Sequence, residues 1–329
     1  MEYKVAKNTS NCRKLTVRGF GNSGLKPLLQ EQIEAAIGLL GTSQLNPKTI
    51  SIHRLSHLNS VIYRSAIALQ LSPLWKLAPD DIAHQLMDML LTMSQETGGI
   101  DFCLEVVSPG WIDFQLSHRS LATVLQLLIS IPLFSSTPGN SLFSTNQNLF
   151  PIQYTHARCC SLLRLAGVGS GEWGDGGGEN LFFDAERGSL AFIHSAEWDL
   201  IFQIFDLLDV MSDLDDGSLV KVSTGSSFNK LNHLTPQPPS LKGKGGQEIL
   251  LPSPFIEGGG VGGGVKLVKR GLALCQAFEV FHKSCRIWGE VTSQQPQLAQ
   301  ARLGLVRVTQ LLLRSLLEDY FGVPAFLEL

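Results

Sequence analysis

"FPIQYTHARCCSLLRLA", residues 150–166, packs an aromatic ring, a histidine, two arginines and two adjacent cysteines into one run. Ile152, His156, Cys159, Leu163 and Ala166 follow the 3–4 spacing of a single helix face, so the spacing predicts a helix that turns these five inward. Cysteine catalysis needs a thiolate beside a base, with a third group orienting the ring. A histidine within an apolar stripe is instead a hydrogen-bonded packing residue, and the cysteines fit as small buried hydrophobes. Tyr154 and Arg158, one turn apart, lie off that face and point together. The stretch reads as a core helix with one gripping face, not as a metal site or a nucleophile with its base.

Downstream, the strong signals stay helical, over 151–166, 194–211, 267–288 and 297–321. The last of these sets Leu298, Ala301, Leu305, Val308, Leu312 and Leu316 on one side, with Arg307, Gln310 and Arg314 opposite. Two tracts interrupt the pattern. "GVGSGEWGDGGGEN" is a Gly-rich loop, and 212–265 holds "TPQPPSLKGKGGQ" and "EGGGVGGGV", where Pro and Gly preclude a packed core. The second is expected to be a disordered insertion between two helices of a bundle.

Upstream the pattern is mixed. "KPLLQEQIEAAIGLL" (26–40) is helical, "TISIHRLS" alternates, and "SAIALQLSPLWKLAPDDIAHQLMDMLL" reads as two helices that break near Pro79. "IDFCLEVVSPGWIDFQLS" predicts two strands around a Ser-Pro-Gly turn, and 119–134 returns to helix. The predicted class is therefore α+β overall and mostly helical. The expected order is a flexible N-terminus (1–19), a small α+β domain (20–134), a linker (135–150) and an all-α domain (151–329) carrying the 212–265 insertion.

Composition bounds the function. Of 329 residues, 44% are hydrophobic and 17% charged, so a sizeable core is available, and a net charge of -3 excludes a broad basic coat for DNA. The six cysteines form no CxxC pair, which speaks against a zinc site or a disulfide framework. The polar start lacks the apolar centre of a signal peptide, and no run of ~18 uncharged apolar residues is present. A reduced, cytoplasmic protein is expected, without metal or membrane partners. GxGxxG occurs at Gly19-Gly21-Gly24, Gly169-Gly171-Gly174 and Gly258-Gly260-Gly263, but none has the strand–turn–helix setting and further βα units a dinucleotide needs. No cofactor is expected.

Arg158, Arg164, Arg286, Arg302, Arg307 and Arg314 form the other notable set. A solvated helix face is the plain account of such a set; phosphate contact by guanidinium forks on rigid helices is the functional one. Residues 266–329 hold eight Lys/Arg against five Asp/Glu, so this end is mildly basic although the whole chain is not.

These residues carry a resemblance. "YTHARCCSLLRLA" resembles the opening helix of the DALR anticodon-binding domain of class I arginyl-tRNA synthetases. "LALCQAFEVFHKSCRIWG" is similar to a later helix of that domain, and "LAQARLGLVRVTQLLLRSLLEDYFGVPAFLEL" to its closing helix and tail. "IYRSAIALQLSPLWKLAPDDIAHQLMDML" and "VVSPGWIDFQLS" are similar to the N-terminal additional domain of the same family. The resemblance implies an arginyl-tRNA synthetase-like protein with a DALR-type helical bundle. In the family the N-terminal domain contacts the tRNA elbow and the bundle contacts the anticodon stem and loop.

The family's activity is ATP-dependent arginine–tRNA ligation, performed by a Rossmann domain between these two parts with His-x-Gly-His and Lys-Met-Ser-Lys-Ser-like signatures. Here about 30 residues separate Ser117 from Pro151, too few for several βαβ units of ~30 residues each, and neither signature occurs. The expectation is thus a non-catalytic tRNA or tRNA-like RNA binding protein, an aminoacyl-tRNA synthetase paralogue without catalytic residues. Its candidate RNA-binding residues are Tyr154, Arg158, Arg164, Arg286, Trp288, Arg302, Arg307 and Arg314. Two alternatives stay open: a protein-interaction scaffold that has lost RNA binding, docking another protein through the bundle, and one part of a split arginine–tRNA ligase.

Overall fold

The structure is a computed structural model that describes residues 13–17, 24–41, 50–56, 59–94, 99–130, 148–167, 182–183, 192–222 and 261–329. Strands β1 (Arg13–Val17), β2 (Ile52–Leu55), β3 (Ile62–Ser65), β4 (Ile100–Val107) and β5 (Trp111–Leu116) form one antiparallel sheet in the order β1-β4-β5-β3-β2. The helices interleaved with them are α1 (Leu25–Leu39), α2 (Ile67–Trp75), α3 (Pro79–Thr92) and α4 (His118–Ser130). Every described element after β5 is helical: α5 (Phe150–Leu165), α6 (Ser195–Val222), α7 (Val261–Ser284), α8 (Glu290–Gln294) and α9 (Pro296–Ser315), the last continued by a π-helical turn at Leu316–Tyr320. The class is mixed α/β, as expected.

Alternation builds the sheet. Ile100, Phe102 and Leu104 on β4 and Ile112, Phe114 and Leu116 on β5 are buried, while Asp101 and Cys103 between the first three are half-buried and Gln115 is exposed. Asp113 breaks the alternation, buried and paired with Arg64 at 2.6 Å. The register sets Tyr63 and Leu104 on either side of Phe114, so one face becomes continuous apolar surface. Helices α2, α3 and α4 lie against these central strands. Fully burying each such side chain contributes about 1.5–3 kcal/mol. The turn at Ser108-Pro109-Gly110 fits its sequence: Gly110 has φ 109°, and a Cβ there would stand 2.8 Å from the Pro79 carbonyl carbon. Pro79 opens α3, with Asp80 and Asp81 in the first turn where the helix dipole favours them.

Four expectations change. Residues 13–17 of the expected flexible N-terminus are β1, paired with β4 through Val17↔Ile100 and burying Leu15 completely. Strand β3 was not foreseen, because four residues leading straight into a helix give too short an alternation. Both ends of the expected 212–265 insertion are helical, since α6 runs to Val222 and α7 starts at Val261; residues 223–260 lie outside the described residues, as do most of the Gly-rich loop and of the linker. Cys103 is disulfide-bonded, which departs from a fully reduced chain, whereas Cys159, Cys160, Cys275 and Cys285 are free and buried.

The helical half packs α6 against α7 and α5 against α9, and α9 also meets α4 of the first half. Buried residues of both halves, from Leu15 to Phe321, make one contiguous apolar cluster. No helix among the described residues is long and apolar enough to cross a membrane.

Candidate functional site

Helix α5 divides as its spacing predicts. Asn148 Oδ1 accepts the Phe150 N–H at 2.9 Å and Pro151 occupies the first turn, so the helix starts here. Ile152, His156, Cys159 and Leu163 face the core. Phe150 and Tyr154, four apart, are 55% and 43% exposed and stack with ring centroids 6.2 Å apart at 26°. The outer stripe continues to Leu165, which is 72% exposed.

His156 is the packing residue the stripe implies. Arg307 Nη1 donates to Gln310 Oε1 at 2.6 Å, Gln310 Nε2 donates to His156 Nε2 at 2.8 Å, and His156 Nδ1 donates to the Phe326 carbonyl at 2.9 Å. This chain has one consistent direction, and it makes the imidazole neutral with its proton on Nδ1. Burial holds its pKa below the ordinary imidazole value. Cys160 Sγ lies 3.8 Å from His156 Nε2, but burial pushes its thiol up and pushes Cys159 well above the ordinary range. Neither is poised as a thiolate nucleophile. Among the described residues no group of three or more His, Cys, Asp or Glu side chains could hold a metal ion.

The expected arginines have separate fates. Arg302 is buried, donates from Nε to Glu197 Oε1 at 2.6 Å and from Nη1 to the Arg286 carbonyl at 2.6 Å. Glu197 is wholly buried and its second oxygen accepts the Ile193 and His194 N–H groups, both at 2.8 Å. Arg302 is therefore a strut that ties α9 to the start of α6, and it leaves the candidate set. Arg164 pairs with Glu328 and bonds Ser161 at 3.2 Å; Arg314 pairs with Glu318 one turn on at 2.8 Å. Arg307 is half-buried and serves the His156 chain. Arg286 and Trp288 are exposed in the turn after α7.

Arg158 differs from these. It is half-buried, and among the described residues it meets no carboxylate. Its Nη2 instead lies 3.3 Å from Nδ1 of His282 on α7. The His282 ring stacks on the buried Phe278 at 6.2 Å and 28°, which fixes it at the α5–α7 contact. A guanidinium has no lone pair to offer, so His282 Nδ1 must accept and the ring is neutral. Burial first, then the Arg158 charge, lowers the His282 pKa.

The structure thus brings together Phe150, Tyr154, Arg158 and His282: two exposed stacked rings and a cation with no carboxylate partner among the described residues, beside a titratable ring. Phe150 and His282 escaped the sequence reading. The i,i+4 spacing of Phe150 and Tyr154 could have revealed the first; nothing local could have revealed a contact between residues 158 and 282. No family model, curated protein or solved structure matches the chain.

Proposed function

We propose that the protein is a non-catalytic binder of tRNA or a tRNA-like RNA, related to arginyl-tRNA synthetases and retaining a DALR-type bundle. The observation that carries the reading is Arg158, a half-buried guanidinium with no carboxylate among the described residues, one turn beyond the stacked, exposed Phe150 and Tyr154. A phosphate supplies the missing negative charge, and unpaired loop bases stack on the open rings. Support also comes from the assembly of α5, α7 and α9 into one bundle, because these helices hold the three stretches that resemble the DALR domain.

A filter-binding titration of total tRNA at about 50 mM and about 200 mM salt tests this, because each phosphate contact contributes about one to the salt slope. Arg158→Ala is expected to weaken binding and flatten the slope by about one contact, and Tyr154→Ala to cost about 1–3 kcal/mol of affinity per stacked base. Absence of retained RNA at the lower salt refutes the proposal.

One observation favours a second reading. Leu165 prolongs the Phe150–Tyr154 stripe as bare apolar surface, which suits a protein-docking helix on a chain of net charge -3. Partners that co-purify through this face and survive nuclease treatment, with no tRNA retained, would establish the scaffold instead.

A further inference from the structure

Arg158 and His282 present nitrogen to nitrogen at the contact between α5 and α7, 3.3 Å apart. The contact exists only while His282 Nδ1 keeps its lone pair, because every guanidinium N–H is a donor. A proton on that nitrogen sets donor against donor and cation against cation. An anion with two free oxygens removes the conflict: one oxygen accepts from Arg158 and the other from the new His282 Nδ1–H. A phosphodiester has those two oxygens, and the adjacent Phe150 and Tyr154 rings offer its bases a stacking surface.

Arg286, four residues beyond His282, is exposed, and other charged groups on the elements packed around α7 are engaged with one another. On α7, Lys283 pairs with Glu279 at 3.4 Å, and both are exposed. On α6, Asp206 is taken by Arg54 and by Arg270, each at 2.7 Å. On α9 and the turn that follows it, Arg302 is held by Glu197 and Arg314 by Glu318. After burial, the Arg158 charge is what lowers the His282 pKa among the described residues.

We propose that Arg158 and His282 are the two halves of a phosphate clamp that takes up a proton from solvent as it closes, so that RNA binding tightens as the pH falls. The clamp rests on the RNA-binding reading and adds His282, with proton uptake, to it. By linkage, a ligand that favours protonated His282 is itself bound more tightly in acid.

The test is filter binding of total tRNA to the full chain at about pH 8 and about pH 5.5, at one salt concentration, for the wild type and His282→Gln. The wild type is expected to gain about tenfold in affinity on acidification, and His282→Gln to lose most of that gain. Protonation of the RNA and of the other histidines is common to both proteins and cancels in the comparison. RNA retained at about pH 8 with the same acid gain in both proteins overturns the clamp and leaves the RNA-binding reading standing. No RNA retained at either pH overturns both. A wild-type NMR titration of the His282 imidazole, with and without tRNA, covers poor folding of the variant: a pKa that rises with tRNA supports the clamp, and an unchanged pKa overturns it.

Discussion

His156 is held in one protonation state by groups on both sides of its ring. Arg307 fixes which way Gln310 points, so His156 Nε2 faces an N–H, while Nδ1 is committed to the Phe326 carbonyl. A second proton would meet a donor, and burial opposes it as well. The folded pKa therefore lies below the unfolded one, so acid favours the unfolded chain. The stability this residue contributes is complete above about pH 6.5 and is lost as pH falls through that value toward the folded pKa. Thermal melts should show His156→Ala less stable than the wild type by about 1–3 kcal/mol near neutrality, with the gap closing in acid. A gap that widens in acid contradicts the assignment. Arg302→Leu should cost more, about 3–5 kcal/mol in denaturant unfolding, because it leaves the Glu197 carboxylate buried and uncompensated. A loss under about 1 kcal/mol would mean that Glu197 finds water instead. The inward turn of His156 was legible from its place in an apolar stripe. The burial of Arg302 was not, because its partner lies 105 residues away and no local spacing points to it.

At the scale of elements, α9 shows local preference and packing in opposition. Alanine suits a helix interior better than glycine by about 1 kcal/mol. Yet a Cβ at Gly304 would stand 2.6 Å from Phe183 Cζ and 2.8 Å from Phe182 Cβ. Those two residues are themselves pinned, since their N–H groups donate to Gln126 Oε1 of α4 at 3.0 and 3.2 Å. Packing wins: Gly304→Ala should lower the melting temperature and cost about 1–3 kcal/mol despite the better propensity. A rise in melting temperature would show that the Phe182–Phe183 segment yields freely. The β4–β5 hairpin was readable because Ser-Pro-Gly is turn chemistry between alternating runs. Strand β1 was not, because its five residues gain meaning only from β4, paired as Arg13↔Leu104 far along the chain. Helix α8 has five residues and no buried side chain, too little to leave a periodic trace.

For the whole molecule, polar side chains stitch the sheet to the helices. Arg54 on β2 donates to Asp206 at 2.7 Å and to Asp209 at 3.1 Å, both on α6, and its guanidinium lies 3.9 Å over the Phe202 ring. Tyr63 on β3 donates to Asp209 at 2.9 Å, Lys26 on α1 reaches Asp213 at 2.6 Å, and Arg270 on α7 reaches Asp206. Burial lifts Asp209 to about 6, against the pull of Arg54 and the Tyr63 hydrogen bond. Its folded pKa lies above the unfolded one, so this contribution is complete below the unfolded carboxylate value and is lost as pH rises through about 6. The stability advantage of the wild type over Asp209→Asn should therefore shrink between about pH 5 and about pH 7, the reverse of His156. A constant advantage in paired denaturant titrations would show that Asp209 is ionised throughout that range. The mixed class and the succession of sheet then helices could be read from periodicity. The single continuous core could not, because the pairing of β2 with α6 is a three-dimensional fact that neither segment records.

Apart from Arg270, which meets Asp206 from within the helical part, the charges of that seam are sorted by origin. Arg54 and Lys26 come from the sheet-bearing part, and Asp206, Asp209 and Asp213 from the helical part. Made as two polypeptides divided between Ser130 and Asn148, each piece would expose half of one apolar core and a patch whose counter-charges reside on the other. Such pieces would be poor transplants, because each grafted alone brings unmatched charge and bare hydrocarbon to its new host. They would be good complementation partners, since opposite patches guide the encounter and the shared core then locks it.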